Sequence, residues 1–277
     1  MGLKSKVKGI VKKAIGWQPA ETTSATQTAV LDPAPVAAPV PTLPQPIHLD
    51  RKAIADLYLK GSGIEVGALH SPLQVPDNVD VKYVDRMTVS ELRQQYPELA
   101  ELPLVEIDII DDGEKLTRIP DASQDFVIAN HFIEHCQNPI LSIEMMLRVL
   151  KPEGVLYLGV PDKRFTFDAK RPVTDIAHLL KDYEEGPAWS REQHFLEYSQ
   201  IVEFGYSRGI ENPDHAEVEK FANHLQEIDY SIHYHVWTQA EIMELFTTLK
   251  KQLNFPFDVE LVVNRQHEII AVLRKAA

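Results

Sequence analysis

Residues 125–161 read DFVIANHFIEHCQNPILSIEMMLRVLKPEGVLYLGVP, and their pattern decides the fold. DFVIAN (125–130) and VLYLGVP (155–161) are short, nearly unbroken apolar runs, the pattern of strands buried on both faces. Between them, NPILSIEMMLRVLK (138–151) predicts an amphipathic helix. Asn138 can cap it, and Pro139 sits at the first position, where a missing N–H costs nothing. Lys151-Pro152-Glu153-Gly154 stops it. Strand, helix and strand in this order form a crossover unit with parallel strands.

Upstream, the same alternation continues. VEIDIIDD (105–112), VKYVDR (81–86) and Ile64-Glu65-Val66-Gly67 read as strands. Residues 50–59 and 88–99 read as helices opened by Asp50 and Thr88. Downstream it breaks: residues 162–236 hold no clear strand, many aromatics and six of the eleven histidines. TQAEIMELFTTLKKQL (238–253) is then a helix with a capping box, Thr238 with Glu241. FDVELVV and EIIAVLRK, joined by NRQH, read as an antiparallel hairpin. The fold class is therefore α/β: a doubly wound, mostly parallel seven-stranded sheet, with a C-terminal antiparallel hairpin and a helical insertion after strand five.

Charge divides the chain. The whole carries 28 basic and 41 acidic side chains, a net of −13. Residues 1–50 are net +2 and residues 51–277 net −15. An acidic body repels phosphate backbones and argues against nucleic-acid binding. The lysines of residues 1–18 interleave with Leu3, Val7, Ile10, Val11, Ile15 and Trp17 at helical spacing, a basic amphipathic segment suited to weak contact with an anionic membrane surface through residues 1–17. A lysine-rich terminus without a role is the plainer reading, since a helix this short is marginal alone. Residues 19–49 are rich in Ala and Pro and read as a mobile linker. The opening lacks a secretory apolar core, and Lys6 breaks the myristoylation pattern. The expected location is the cytoplasm, with peripheral contact at the inner face of the membrane as the reading if the basic segment has a role. Cys136 is the one cysteine, so it forms no intrachain disulfide, and its apolar surroundings point to burial.

In a doubly wound sheet, ligands bind at the carboxyl ends of the strands. Those ends carry Glu65 and Gly67, then Asp85, placed to accept hydrogen bonds from a ribose diol. Asp112 and Gly113 follow, suited to an adenine edge, and then Asn130 and His131. The loop Gly67-Ala68-Leu69-His70-Ser71-Pro72 has a single glycine, and Pro72, Pro76 and the short span to Val81 leave little room for a pyrophosphate-binding helix, which counts against NAD.

Residues 125–161, with EVGA (65–68), YVD (83–85) and DDGEKL (111–116), closely resemble class I S-adenosylmethionine-dependent methyltransferases, which have a Rossmann-like sheet. More narrowly, GALHSPL, YVDR, NHFIEHCQNP, VPDKRFTFD and HYHVWT look like a methyltransferase type 11-like bacterial subgroup associated with glycan biosynthesis and glycosyltransferases. The resemblance implies a methyltransferase domain over residues 50–277, with 162–236 as an acceptor-binding lid. It implies S-adenosyl-L-methionine as cofactor. Glu65 and Gly67 would flank its methionine part, Asp85 its ribose, and Asp112 with Gly113 its adenine; Asn130 would contact it through the backbone, and Ala68 and Arg86 would also bind it. The acceptor would be a small molecule or glycan hydroxyl, and a glycosyltransferase a partner.

Removing a hydroxyl proton needs a base. The candidates are His131, first because it follows the fourth strand, then His135, Asp162 and His235. His233-x-His235 on an extended segment would turn both imidazoles to one face, with His178, His194, His215 or His224 to complete a metal set. No carboxylate partner is evident, so no residue is assigned to a metal, and core or substrate contacts are preferred. Two other functions fit parts of the chain: a methyltransferase fold that binds partners without turnover, and a metal-dependent hydrolase built on the insertion histidines.

Overall fold

The computed structural model describes residues 49–277. The expectations for residues 1–48, the basic segment and the Ala/Pro-rich stretch, lie outside the described residues. Asp50 accepts the Ala53 N–H at 2.8 Å and caps α1 (Arg51–Tyr58). Gly61, at φ +76°, then turns the chain into β1 (Ser62–Val66). No helix follows β1; residues 67–79, broken by Pro72 and Pro76, cross irregularly to β2 (Asp80–Asp85). Thr88 opens α2 (Val89–Gln95) with a capping box to Glu91. This helix ends short of the expected residue 99, because Pro97 disfavours helical backbone at Tyr96, which sits at φ −121° and ψ 85°.

The strand expected over 105–112 shrinks to β3 (Ile109–Ile110). Asp108 explains the loss: its carboxylate, not a backbone carbonyl, accepts the Tyr83 N–H at 2.8 Å. β4 (Gln124–Asn130) leads to α3 (Pro139–Val149), capped by Asn138. β5 (Leu150–Pro161) starts at once, so helix and strand meet without the expected loop. Residues 151–154 instead bulge out between the Gln124–Leu150 and Phe126–Val155 pairs. Residues 162–236 carry α4 (Ile176–Glu185), α5 (Arg191–Glu197), a π-helix (Tyr198–Ser207) and α6 (His215–Glu227). Thr238 and Glu241 box α7 (Gln239–Lys251), and β6 (Phe257–Asn264) and β7 (Glu268–Lys275) close the chain.

The seven strands run in the order β3-β2-β1-β4-β5-β7-β6, all parallel except β7, which is antiparallel to both neighbours. The order reverses between β1 and β4, which makes their carboxyl ends the switch point. Both sheet faces are covered. Along β4, Phe126 and Ile128 pack against α1 and Leu73, while Val127 and Ala129 pack against α3 and α7. All four are 0% exposed, which is why the run was apolar without alternation. Each large apolar side chain so buried contributes about 1.5–3 kcal/mol. The insertion has a small core of its own around Phe195, Leu225 and Tyr234. It leaves and rejoins the body at one point, where the Lys163 N–H donates to the Trp237 carbonyl at 2.9 Å. Among the described residues, no helix is long and apolar enough to cross a membrane.

Candidate functional site

The switch point collects most of the strand-end residues. Gly67 follows β1 at φ +67°, a conformation that favours glycine, and its N–H donates to the Val84 carbonyl at 3.0 Å. Gly113 admits no side chain: a Cβ there would stand 2.7 Å from Val66 and from the Phe132 ring. Phe132 thus forms an apolar wall between the two glycine-bearing loops. Asp85 ends β2, only 8% exposed. Burial pushes its carboxyl up against the lowering effect of the Arg86 and Met87 amides. Asn130 ends β4 with both amide atoms buried and without a hydrogen bond. Such a group costs free energy unless something else satisfies it.

Glu65 is buried and its two oxygens take the Leu73 N–H at 3.0 and 3.1 Å. Burial raises its pKa to about 7, against the lowering effect of the Leu73 amide and of Arg51. Its carboxylate therefore pins the 67–73 turn. Asp112 lies exposed, holding Lys115 at 2.7 Å and the Glu114 N–H at 3.0 Å. The neighbouring Asp111 anchors the loop instead, accepting from Thr117, Arg118 and the Asp112 amide. Ala68 is buried beside Gly67.

Four expected roles need correction. The Arg86 guanidinium, expected to bind the cofactor, is taken up by Asp229 at 2.8 Å and by the Tyr96 hydroxyl, so it ties β2 to the insertion. Asp162, proposed as a base, is 0% exposed and accepts from Arg164 and Asn264. Burial alone would raise its pKa, but these bonds outweigh it and hold the carboxyl low. A carboxylate so saturated does not take a proton. His135 Nδ1 is occupied by the Ile232 carbonyl at 2.9 Å, and burial and His233 push the ring down to about 3. His235 is 0% exposed in a separate cluster with His178 and His194, its pKa far below normal through burial.

His233 and His235 do not share a face. The Tyr234 and His235 amides both donate to the Glu134 carbonyl, at 2.8 and 3.3 Å, which breaks the alternation of an extended segment. His233 pairs with Asp168 at 2.7 Å, and neither His215 nor His224 joins the other histidines in a candidate metal set among the described residues.

His131 alone of the base candidates is open, at 44% side-chain exposure. Its Nδ1 lies 3.6 Å from Glu134 and its Nε2 3.6 Å from Glu268. Glu134 is 1% exposed with no hydrogen bond to either oxygen, and burial raises its pKa to about 7. Glu268 opens β7 and is clamped by Arg51 of α1 at 2.8 and 2.5 Å. Burial opposes its ionisation, but His131 and Arg51 bring its pKa down to about 2. Glu134, Glu268 and Arg51 were not among the sequence candidates. For Glu134 a signal existed, an acid between two histidines in His131-Phe132-Ile133-Glu134-His135.

This edge fits the nucleoside and amino-acid parts of S-adenosylmethionine. It offers a buried acid at the second strand, an amide lacking a partner at the fourth, and two close-approach glycines. Comparison with known proteins points the same way. Residues 61–158 match the family model described as a methyltransferase domain. An uncharacterized protein of Methanocaldococcus jannaschii is 26% identical over 55% of this chain and 66% of its own length. A Mycolicibacterium smegmatis protein named "Probable S-adenosylmethionine-dependent methyltransferase" is 30% identical over 43% of this chain and 39% of its own. The chain thus matches less than two thirds of either relative's length. A solved SAM-dependent methyltransferase from Aquifex aeolicus is a loose likeness: 13% identity, 81% and 86% of the two chains covered, TM-score 0.41. Over residues 61–158 the chain is therefore similar to a methyltransferase domain, carried on a seven-stranded Rossmann-like sheet.

Proposed function

We propose that the chain transfers a methyl group from S-adenosylmethionine to a hydroxyl of a glycan or glycan precursor, with His131 as base and residues 162–236 as the acceptor lid. The observation that carries this reading is the switch-point edge itself: Asp85 and the partnerless Asn130 amide beside an exposed imidazole set between two carboxylates. The bound cofactor supplies an activated methyl group, and the residues do the rest. Asp85 takes the ribose hydroxyls, Asn130 and the Gly67 loop hold the amino-acid part, and Phe132 excludes water. His131 accepts the acceptor's proton at Nε2, with Nδ1 turned toward Glu134. Glu134 and Glu268 then stabilise the imidazolium. Arg51 keeps Glu268 ionised and in place. A sugar acceptor is supported by the subgroup resemblance and by Phe165 and Trp189 of the insertion, 47% and 46% exposed, since such rings stack on sugar faces.

Calorimetric titration with S-adenosylmethionine and its demethylated product tests the site. Asp85→Ala should lose at least about tenfold in affinity, about 1.4 kcal/mol, with its circular dichroism unchanged. His131→Ala should bind the cofactor normally yet lose about 10²–10⁴ in turnover. No binding by the parent chain would sink the proposal, and undiminished binding by Asp85→Ala would reject the ribose assignment.

A further inference from the structure

The insertion brings together four side chains that the methyl-transfer site does not use. His178 and Asp182 stand one turn apart on α4, His194 lies on α5, and His235 lies on the segment returning to α7. One donor atom from each falls within 4.8 Å of all the others. His178 Nε2 is 3.1 Å from His194 Nε2 and 3.2 Å from Asp182 Oδ2, and His235 Nε2 is 3.7 Å from Asp182 Oδ2. A tetrahedral zinc ion with bonds of about 2.0–2.2 Å sets its ligands about 3.3–3.6 Å apart. The observed spacings bracket that value. We propose that His178, Asp182, His194 and His235 bind one divalent metal ion, zinc by the chemistry of the donor set.

Hydrogen bonding alone leaves the cluster unsatisfied. Asp182 is 0% exposed, makes no ion pair with a lysine or arginine among the described residues, and its Oδ2 has no hydrogen bond. His235 Nδ1 is likewise buried without a partner, while its Nε2 has the Gln137 carbonyl at 3.4 Å. A buried carboxylate without a cation is costly, and a metal ion removes that cost. The Ser190 hydroxyl donates to the other oxygen, Oδ1, at 3.1 Å, which orients the carboxylate and leaves Oδ2 to the cluster. The His178 side chain, 23% exposed, opens the path of entry.

Four protein ligands leave no open position, so the metal is structural and the site is not that of a hydrolase. It would join α4 and α5 to the return segment, whose amides rest on the Glu134 carbonyl beside His131.

Metal content of the full chain, measured by plasma mass spectrometry after zinc loading and gel filtration, tests this directly. One zinc per chain is expected, with a melting temperature that falls in EDTA and returns with zinc. Asp182→Asn and the partly exposed His178→Gln should stay folded by circular dichroism, lose the zinc, and melt independently of EDTA. Should either variant fail to fold, cobalt loading of the parent decides, because four-coordinate cobalt gives intense visible bands. A parent chain without stoichiometric zinc or those bands would overturn the site. So would zinc retained in both folded variants, or zinc lost in Glu134→Gln but kept in Asp182→Asn, which would place it at the Glu134, His135 and His233 group.

Discussion

His131 combines exposure with an unfavourable backbone. Its φ of +50° lies in the left-handed region, which costs a residue with a Cβ about 1–2 kcal/mol. The conformation is held by its N–H, which donates to the Gly159 carbonyl at 2.7 Å. His131→Gly should therefore be about 1 kcal/mol more stable than His131→Ala in thermal unfolding, and equal stabilities would show that the turn carries no strain. At this scale the sequence was informative about position, since the apolar runs put Gly67, Asp85 and Asn130 at strand ends. It was silent on Arg51 and Glu268, which join His131 only because α1 and the start of β7 pack beside β4. It misled at His233 and His235, because alternation presumes an extended chain, and one carbonyl of Glu134 collects two successive amides there.

Among the elements, the helix caps were legible because capping is local chemistry. Asp50, Thr88, Asn138 and Thr238 all cap as their types suggest. Asn138 does more than the others: its Oδ1 takes the Leu141 N–H at 3.0 Å and its Nδ2 donates to the Asp182 carbonyl at 2.8 Å. Asn138→Ala removes the cap and strands a buried carbonyl, so it should cost about 2 kcal/mol in urea unfolding. The exposed cap change Thr88→Ala should cost about 1 kcal/mol or less. Comparable losses would mean that the bond to α4 adds nothing. Element boundaries were harder to read. The short β3 depends on a side chain substituting for a ladder carbonyl, and the early start of β5 on a bulge; neither has a mark in composition.

For the molecule as a whole, two sets of buried groups pull stability in opposite directions with pH. Glu65 and Glu134 have pKa values raised from 4.5 to about 7, so the fold holds protons the unfolded chain releases. Stability is lost as pH rises through that window. His135 and His194, lowered from 6.5 to about 3 and about 4, lose stability as pH falls below 6.5. Above pH 7 only the carboxyl penalty remains between these two sets. Glu134→Gln should therefore stabilise the chain at pH 8 and change little at pH 5, as measured by chemical unfolding at both values. The same difference at both would show that Glu134 does not titrate as described. The parallel sheet was legible from its apolar runs, since the hydrophobic effect that buries them is the same force that orders the strands. The contact of Lys163 with Trp237 has a consequence for how such a protein changes over time. A segment that departs and returns through one doorway can be lengthened, shortened or exchanged as a cassette while the sheet beneath it is inherited intact.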